Sequence, residues 1–370
     1  MRKTNLLYSL LALPALILGM TGCTKTNTIN NGQVIETPYS LYFTDTAGTL
    51  YSSNDGKTSK VIFSSDGSAV RCLFSMNSNL LMAKQSLYVT TNNGSSFSYS
   101  YPSINLATVP HTNIKGHPLD LNQSMGIFVQ SWSHGYVASR DPSGANYLGI
   151  AWNATDGVGP WSLEQRYDTL QSPGVHVGGI QAKSFTLLKN GTLVALDPST
   201  KRLLTRSALL AYWHESFSAN TSNADSMDMP GTPTFYSLGH LNDRIIAIDN
   251  YGTQGVIYTD DMGATWNQFS GIPANTPVIS IASPFEQVCL VGTDSAGLFM
   301  LNPNTNSFQQ VLNGLTADMV VRSITFKENI FKNGTRQQYV YLATNKGLYQ
   351  SSDLGANWTR TIVGNFVGIY

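Results

Sequence analysis

Residues Thr259-Asp260-Asp261-Met262-Gly263-Ala264-Thr265-Trp266 follow an apolar run at 256–258 and are the most informative part of the chain for its architecture. The same pattern returns as Ser351-Ser352-Asp353-Leu354-Gly355-Ala356-Asn357-Trp358 after 347–349. In each copy the hydroxyl and the carboxylate can accept backbone N–H groups within a turn, the glycine can take a positive φ, and the tryptophan begins another buried strand. The pattern predicts a strand–turn–strand unit that repeats along the chain.

Two weaker copies of the pattern lie upstream, at 52–59 and at 90–97. Both carry Asn where the strong copies carry Asp, and an Asn side chain keeps the hydrogen-bond acceptor and tolerates a left-handed backbone. Three further segments, at 136–147, 203–213 and 298–308, keep the succession of strands but lose the turn pattern. The residues expected to hold the turns are Ser52, Asn54, Gly56, Thr90, Asn92, Gly94, Thr259, Asp261, Gly263, Trp266, Ser351, Asp353, Gly355 and Trp358.

Positions at the end of each turn recur at intervals of roughly 40–60 residues, which is the size of a four-stranded propeller blade. The sequence therefore predicts an all-β fold, a single β-propeller of four-stranded antiparallel blades, with seven blades favoured and six left open. The strand at 362–370 is one too many for the last blade, so we expect it to pair with the first blade and close the ring. The recurring positions are Ser59, Phe97, Trp152, Tyr212, Trp266, Phe308 and Trp358.

The turn pattern resembles the Asp-box, also called the bacterial neuraminidase repeat, which occurs in sialidases, sortilin-type receptors, some xyloglucanases and many binding propellers. The resemblance implies a propeller in which Asp261 and Asp353 are structural rather than catalytic. Sialidases of this resemblance carry a Phe/Tyr-Arg-Ile-Pro motif and further arginines, and this chain has neither that motif nor an assignable arginine triad. A xyloglucanase of this kind would use two propellers, whereas this chain has the length of one.

The N-terminus has the layout of a bacterial export signal, with Arg2-Lys3, an apolar stretch at 6–20 and small residues before a cysteine. Met20-Thr21-Gly22-Cys23 resembles the lipobox of bacterial lipoproteins, which implies cleavage before Cys23 and acylation of that residue. Acyl chains would anchor the protein without a spanning helix. By analogy with lipoprotein sorting, Thr24 and Lys25 favour the periplasmic face of the outer membrane. An ordinary secretory signal is the alternative.

These features divide the chain into three parts. Residues 1–22 are predicted to be a lipoprotein signal peptide, and residues 23–37 a lipidated cysteine followed by a polar, flexible tether. Residues 38–370 are predicted to form the propeller, and about 330 residues suffice for one large domain with a well-buried core.

The composition excludes several classes of function. Lysine plus arginine and aspartate plus glutamate both number 22, so the formal net charge is zero, and only 12% of the residues are charged. Electrostatic binding of nucleic acid requires clustered basic residues, so we expect no nucleic-acid partner. No CxxC or HExxH spacing occurs, and we expect no metal and no cofactor. Cys72 and Cys289 fall in the second and sixth predicted blades, so we expect two buried free thiols.

Three long segments, at 98–123, 153–183 and 215–233, are predicted to connect blades on the face opposite the repeated turns. Long loops on a rigid ring are where binding residues concentrate. Their aromatic side chains could stack on sugar rings, or the same side chains could simply pack the loops against one another. The candidate ligand-binding residues are Trp132, His134, Trp161, Arg166, Tyr167, His176, His214 and Glu215.

The leading hypothesis is a monomeric, lipid-anchored, non-catalytic propeller that binds a carbohydrate or an envelope protein; no catalytic residue is assigned. The alternative is a glycoside hydrolase or a lyase at the long-loop face, and a hydrolase would need two carboxylates about 5–10 Å apart across a cleft. A third hypothesis is an assembly scaffold that resembles the propeller factors which help to build membrane complexes. Such a factor would be expected to carry a charged patch, and the composition offers none.

Overall fold

The computed structural model describes residues 29–30, 33–37, 40–70, 72–76, 79–84, 87–100, 111–118, 125–131, 150–153, 158, 162–163, 165–168, 175–179, 184–197, 202–206, 214–215, 236–249 and 255–370 of the 370-residue chain. Within these residues the regular structure is β-strand, apart from a short 3-10 helix at Pro284–Glu286. In this described part of the chain, no helix has the length and hydropathy needed to span a membrane.

The N-terminal strands build the first three blades. Two short strands, β1 (Ile29–Asn30) and β2 (Gln33–Thr37), precede the ring and join its last sheet. The first blade contains β3 (Leu41–Asp45), β4 (Leu50–Ser53) and β5 (Lys60–Phe63). The second contains β6 (Cys72–Met76), β7 (Asn79–Ala83), β8 (Leu87–Thr90) and β9 (Ser98–Tyr99). The third contains β10 (His111–Pro118), β11 (Met125–Ser131), β12 (Ile150–Asn153) and β13 (Ser162–Leu163).

A separate two-stranded ribbon follows, made of β14 (Gln165–Asp168) and β15 (Val175–Gly179). The fourth blade contains β16 (Ser184–Leu187), β17 (Leu193–Asp197), β18 (Arg202–Arg206) and β19 (His214–Glu215). The fifth contains β20 (Tyr236–Leu241), β21 (Arg244–Asp249), β22 (Val256–Thr259) and β23 (Asn267–Gln268). The sixth contains β24 (Val278–Ala282), β25 (Leu290–Thr293), β26 (Leu298–Asn302) and β27 (Ser307–Val311).

The last sheet has six strands, because β1 and β2 extend a four-stranded meander along its inner edge. The meander contains β28 (Val321–Phe331), β29 (Arg336–Thr344), β30 (Gly347–Ser351) and β31 (Thr359–Ile362). The final strand, β32 (Phe366–Ile369), leaves this sheet and completes the first blade. The described residues therefore contain six four-stranded antiparallel sheets and a seventh sheet with a four-stranded blade within it.

The innermost strands of these seven sheets contact one another in a closed circuit. The circuit runs β32, β6, β10, β16, β20, β24, β28 and back to β32. The prediction of an all-β propeller with four-stranded antiparallel blades is confirmed, and the circuit has the favoured number of seven. Two of the recurring positions used for the count lie inside strands instead of at turn ends, since Trp152 is in β12 and Phe308 is in β27.

The C-terminal strand closes the ring, as the sequence predicts. β32 pairs antiparallel with β3, with Phe43 opposite Ile369 and Thr44 opposite Gly368. Beyond the strand ends, the backbone of Tyr42 exchanges two hydrogen bonds with that of Tyr370, at 2.7 and 2.8 Å. The first blade is thus shared between the two ends of the described chain, and the ring leaves no unpaired inner edge there.

The core lies between blades, which explains the strand sequences. In β21, Ile245 and Ile246 are both fully buried, yet they face different neighbours. Ile245 packs in a cluster with Val194 and Leu203 of the fourth blade, whereas Ile246 packs in a cluster with Val291 of the sixth. Because both faces of a blade are covered by other blades, its middle strands are continuous apolar runs instead of alternating patterns.

The last blade carries a hairpin that is longer than those of the other blades in the described residues. β28 has eleven residues and β29 has nine, whereas the other innermost strands have four to eight. β2 pairs with the far end of β28, with Ile35 opposite Phe331 and Thr37 opposite Ile330. Residues 29–30 and 33–37 fall within the segment predicted to be a flexible tether, and the structure corrects this part of the prediction: they are strands. We call β1, β2 and the protruding ends of β28 and β29 the arm.

The two cysteines lie in different blades and neither forms a disulfide, as predicted. Cys289 is fully buried just before β25, and burial raises the pKa of its thiol to about 12. Cys72 at the start of β6 is only half-buried, so the expectation of two buried thiols holds for one of them.

Candidate functional site

The repeated turns are held by one pattern of hydrogen bonds. In the third copy, the hydroxyl of Thr259 donates to Asp261 at 2.7 Å and accepts the backbone N–H of Gly263 at 2.8 Å. The carboxylate of Asp261 then accepts the backbone N–H and the hydroxyl of Thr265, at 2.9 and 2.6 Å. Ser351, Asp353, Gly355 and Asn357 repeat the pattern with nearly the same distances. We call the turns at 53–58, 90–96, 259–265 and 351–357 the clasp turns.

The first clasp turn uses other residues than the sequence pattern indicates. Its hydroxyl is that of Ser53 and its carboxylate that of Asp55, not the side chains of Ser52 and Asn54. The chain is one residue shorter between the acidic residue and Gly56 than in the other copies, and this shortening shifts the register. In the second copy the assignment holds, because Asn92 accepts from Thr90 at 2.9 Å and from the backbone of Ser96 at 3.0 Å.

The glycine of each clasp turn lies against the preceding blade. A Cβ atom on Gly56, with φ +69°, would lie 2.5 Å from the ring of Tyr341 in the last blade. A Cβ on Gly94 would lie 2.8 Å from Ile62 of the first blade. Gly263 and Gly355 stand in the same way over Leu203 and Leu290. The glycines are therefore required both by their backbone conformation and by the close approach of the preceding blade.

The carboxylates of the clasp turns are structural groups. Desolvation opposes the ionisation of Asp261, but hydrogen bonds from the side chain and backbone of Thr265 and from Thr259 outweigh it, so the pKa lies below its ordinary value. The pKa of Asp353 is lowered in the same way by bonds from Asn357 and Ser351. A carboxylate held ionised and saturated with donors is poorly suited to act as a general acid.

Five of the predicted ligand-binding residues lie on strands. Arg166 and Tyr167 are in β14 and His176 is in β15, where Tyr167 is paired with His176. His214 and Glu215 form β19, the outermost strand of the fourth blade, and β14 contacts β19. The ribbon and this strand therefore bring the five positions to one region. Trp132, His134 and Trp161 lie outside the described residues.

The long segments do not all lie on one face. β12 ends at Asn153 and β13 begins at Ser162, so the chain between them connects the third and fourth strands of a blade. In an antiparallel meander the connections between strands one and two and between strands three and four share one end of the sheet. That end also carries the clasp turns, and we call it the clasp face. The interpretation of 153–183 as an inter-blade loop on the opposite face is therefore wrong for its first part.

A chain of polar contacts that the sequence does not predict crosses three blades. The hydroxyl of Thr186 in β16 lies 2.8 Å from Nδ1 of His240 in β20, and Nε2 of His240 lies 2.9 Å from Oε1 of Glu286. A carboxylate only accepts, so Nε2 of His240 donates to Glu286, and a neutral ring then accepts the Thr186 proton at Nδ1. The other carboxylate oxygen of Glu286 accepts the backbone N–H of Asn242. We call Thr186, His240 and Glu286 the relay.

The backbone is strained where the relay meets the sixth blade. Phe285 and Glu286 both have positive φ, at 53° and 57°, which is unusual for residues with a Cβ. This turn directs Glu286 back to His240, while Phe285 packs on Phe326 of β28 with ring centroids 4.9 Å apart. Two consecutive non-glycine residues with positive φ are a backbone feature that marks the contact between the relay and the sixth blade.

The relay is built to hold blades together. The side chain of Thr186 belongs to a residue that is only 1% exposed, so its hydroxyl cannot reach a substrate as a nucleophile. Each member comes from a different blade, which makes the relay a cross-link between the fourth, fifth and sixth sheets. Among the residues that the structure describes, no group of three or more His, Cys, Asp or Glu side chains is arranged to hold a metal ion.

A second cluster lies at the seam of the ring. The ammonium group of Lys327 stands 4.2 Å from the ring centroid of Tyr370, whose hydroxyl donates to the carbonyl oxygen of Ser75 at 3.1 Å. Burial lowers the pKa of Lys327 to about 8 and raises that of Tyr370 to about 12. These contacts join β28, β32 and β6 at the seam.

No protein-family model matches the sequence, and no curated protein is similar to it in sequence. Three solved structures similar to it are propellers. YCF48 bound to D1 peptide is 15% identical, with a TM-score of 0.52 over 83% of this chain and 86% of that one. A Bacteroides uniformis protein classed provisionally as a 6-phosphogluconolactonase is 13% identical, with a TM-score of 0.50 over 90% and 98%. The extracellular domain of BT4673 from Bacteroides thetaiotaomicron is 14% identical, with a TM-score of 0.49 over 79% and 33%. At these identities the comparisons show the fold alone.

Proposed function

We propose that this chain is a lipid-anchored β-propeller of the bacterial cell envelope that binds a protein or carbohydrate partner and has no catalytic activity of its own. The observation that supports this proposal most strongly is what the carboxylates contact. Asp55, Asp261 and Asp353 hold clasp turns. Asp66, Asp260 and Glu286 bind side chains of neighbouring strands or blades. Carboxylates used in this way stabilise the ring and are poorly suited to acid catalysis.

The carboxylates argue against a glycoside hydrolase. Such an enzyme needs a carboxylic acid whose pKa is raised so that it can protonate the leaving group. The five described carboxyl groups with displaced pKa values are all displaced downward: Asp55, Asp66, Asp261, Asp318 and Asp353. The largest displacement is at Asp66, where the buried ammonium group of Lys84 donates to the carboxylate.

A rigid ring that presents strands and loops from several blades is well suited to binding. YCF48, which shares the fold, is described bound to a peptide, and this supports a protein segment as one class of partner. The region formed by β14, β15 and β19 gathers candidates that suit either a peptide or a sugar: Arg166, Tyr167, His176, His214 and Glu215. With Trp132, His134 and Trp161, these residues form our proposed binding set.

The anchor is supported by Met20-Thr21-Gly22-Cys23 and by the basic and apolar segments before it. We propose acylation of Cys23 and a position at the periplasmic face of the outer membrane. Flotation of the full chain with membranes, compared with Cys23→Ser, tests the anchor. Retention of Cys23→Ser in the membrane fraction would contradict it.

Binding is tested by affinity capture from envelope extract and by a glycan array, using the processed chain. We expect Tyr167→Ala together with His214→Ala to reduce retention of the captured ligand at least tenfold. Thr335→Ala, an exposed change at the far end of the arm, is the matched control and should retain full binding. Turnover of an envelope glycan that is abolished by a single carboxylate substitution would reject the non-catalytic proposal in favour of a hydrolase.

A further inference from the structure

The arm connects the ring to the segment that carries the proposed anchor. β28 begins inside the ring at Val321 and ends at Phe331, and eleven residues at about 3.3 Å each span roughly 36 Å. An inner strand of five residues, such as β24, spans only about 17 Å by the same measure. The far end of the hairpin therefore projects well beyond the ring.

The hairpin projects from the clasp face. It joins the first and second strands of its blade, and that end of a meander also carries the turn between the third and fourth strands. In this blade that turn is the clasp turn at 351–357, which lies between β30 and β31. The turns that join second and third strands, such as the one containing Ala47, lie at the other end of the sheets.

The end of the arm is firmly structured. Phe331 is buried, its backbone N–H donates to the carbonyl of Thr335 at 2.9 Å, and Gly334 donates back to Phe331 at 2.8 Å. The side chain of Asn333 accepts the hydroxyl of Thr335 at 2.7 Å. β2 runs alongside this end, and β1 is level with it because Ile29 pairs with Val34 next to Ile35. The chain before Ile29 therefore starts from the projecting end of the arm.

Only a short tether separates this point from the proposed anchor. Cys23 and Ile29 are six residues apart in sequence, and a fully extended chain covers at most about 3.5 Å per residue, or about 21 Å in total. A lipid on Cys23 would hold the end of the arm within this distance of the bilayer. The arm projects from the clasp face, and the anchor would hold its end near the bilayer. The face of the ring opposite the clasp face would therefore point away from the membrane.

We propose that the arm is a stalk that sets the orientation of the ring, with the clasp face toward the lipid bilayer and the opposite face toward the surrounding compartment. The proposal rests on the lipid anchor of the proposed function. In this orientation the end of the arm faces the lipid headgroups. Lys332 is exposed at that end, and its positive charge suits anionic headgroups. This orientation leaves the turns around Ala47 accessible to soluble partners.

The test measures the distance of two sites from the membrane. The full chain, made in a lipoprotein-processing host with Cys72→Ser, carries a donor dye at either Lys332→Cys or Ala47→Cys, both exposed positions. It is reconstituted into phospholipid vesicles that contain a headgroup-labelled acceptor lipid. We expect energy transfer to be several-fold larger from position 332 than from position 47.

A longer tether provides the control. An insertion of about 20 Gly and Ser residues after Thr24 has a root-mean-square reach of about 25 Å and should allow the ring to reorient. We expect the difference between the two sites to shrink by at least half. Equal transfer without the insertion, or a difference that survives it in full, would overturn the orientation while leaving the anchor intact. A chain that does not float with vesicles would overturn the anchor and the orientation together.

Discussion

The indole N–H of Trp358 donates to the carbonyl oxygen of Gly355 at 2.8 Å and so fastens the tryptophan to its own clasp turn. The equivalent N–H of Trp266 is buried without a partner among the described residues. Both side chains stand at the same position of the repeat and pack against the preceding blade. Both copies pack on the preceding blade, but Trp358 is buried and hydrogen-bonded, whereas Trp266 is half-buried and its N–H has no partner among the described residues.

This difference predicts losses of unequal size when each tryptophan is replaced by phenylalanine. Trp358→Phe removes a satisfied donor and leaves the carbonyl of Gly355 without it, so we expect a loss of about 2–3 kcal/mol in the free energy of unfolding, including the smaller ring. Trp266→Phe removes an unsatisfied donor, which offsets part of the lost packing, and should cost about 1 kcal/mol or less. Urea denaturation of both variants checks this. A larger loss for Trp266→Phe would contradict the assignment.

The contact between Gly56 and Tyr341 predicts a steric effect that is separable from backbone strain. Gly56 and Gly334 both have positive φ, at 69° and 79°, but a Cβ on Gly334 would meet no atom within 4 Å. We expect Gly334→Ala to cost about 1 kcal/mol from the left-handed backbone alone. Gly56→Ala should cost about 2–4 kcal/mol because Tyr341 is fully buried and must shift. Equal losses in urea denaturation would show that the blades can separate at this point without cost.

The relay predicts that removing a buried threonine hydroxyl lowers the free energy of unfolding only where that hydroxyl has a hydrogen-bond partner. Thr186→Val leaves Nδ1 of His240 without its donor, so we expect a loss of about 1–3 kcal/mol. The hydroxyl of Thr44 is equally buried but has no partner among the described residues, so Thr44→Val should be neutral or slightly stabilising. Thermal and urea denaturation of the two variants give the comparison. If Thr186→Val is also neutral, the relay does not join the blades.

The pKa of Asp261 predicts a dependence of stability on pH. Its pKa is lower in the folded state than in the unfolded chain, so its contribution is fully present above the unfolded value near 4 and is lost as the pH falls through the folded value. Asp261→Asn removes this titration, and we expect a smaller drop in Tm between pH 7 and pH 3 than in the unmodified protein. Asn92 shows that the turn accepts Asn, since its amide donates to Ser96 at 2.8 Å. An unchanged drop in Tm would show that the carboxylate does not contribute.

The sequence was sufficient to predict the ring because the clasp turns are local. Thr259, Asp261 and Gly263 lie within five residues, and their hydrogen bonds depend on that spacing alone. The first copy was assigned one residue too early because Ser52 and Ser53 are adjacent and Asn54 and Asp55 both have suitable acceptors. The structure distinguishes them by the contact of Gly56 with the last blade, which no local pattern contains.

The relay and the arm could not be predicted for a different reason. Thr186, His240 and Glu286 are separated by 54 and 46 positions, and none of them stands in a repeated pattern. Their meeting depends on the angular placement of three blades. The segment that contains β1 and β2 also suits a disordered tether by its sequence, and it is ordered by the pairing of β2 with β28 far along the chain.

The pairing of β3 with β32 determines when the ring can become complete. β3 is among the first strands of the ring to be synthesised, and its inner partner is the last. Until residues 366–369 are available, the edge of β3 is unpaired and Phe43 lacks its contacts with Phe366 and Ile369. Folding of the first blade must therefore wait for nearly the whole chain, which makes the final strand the step that commits the molecule to its native form.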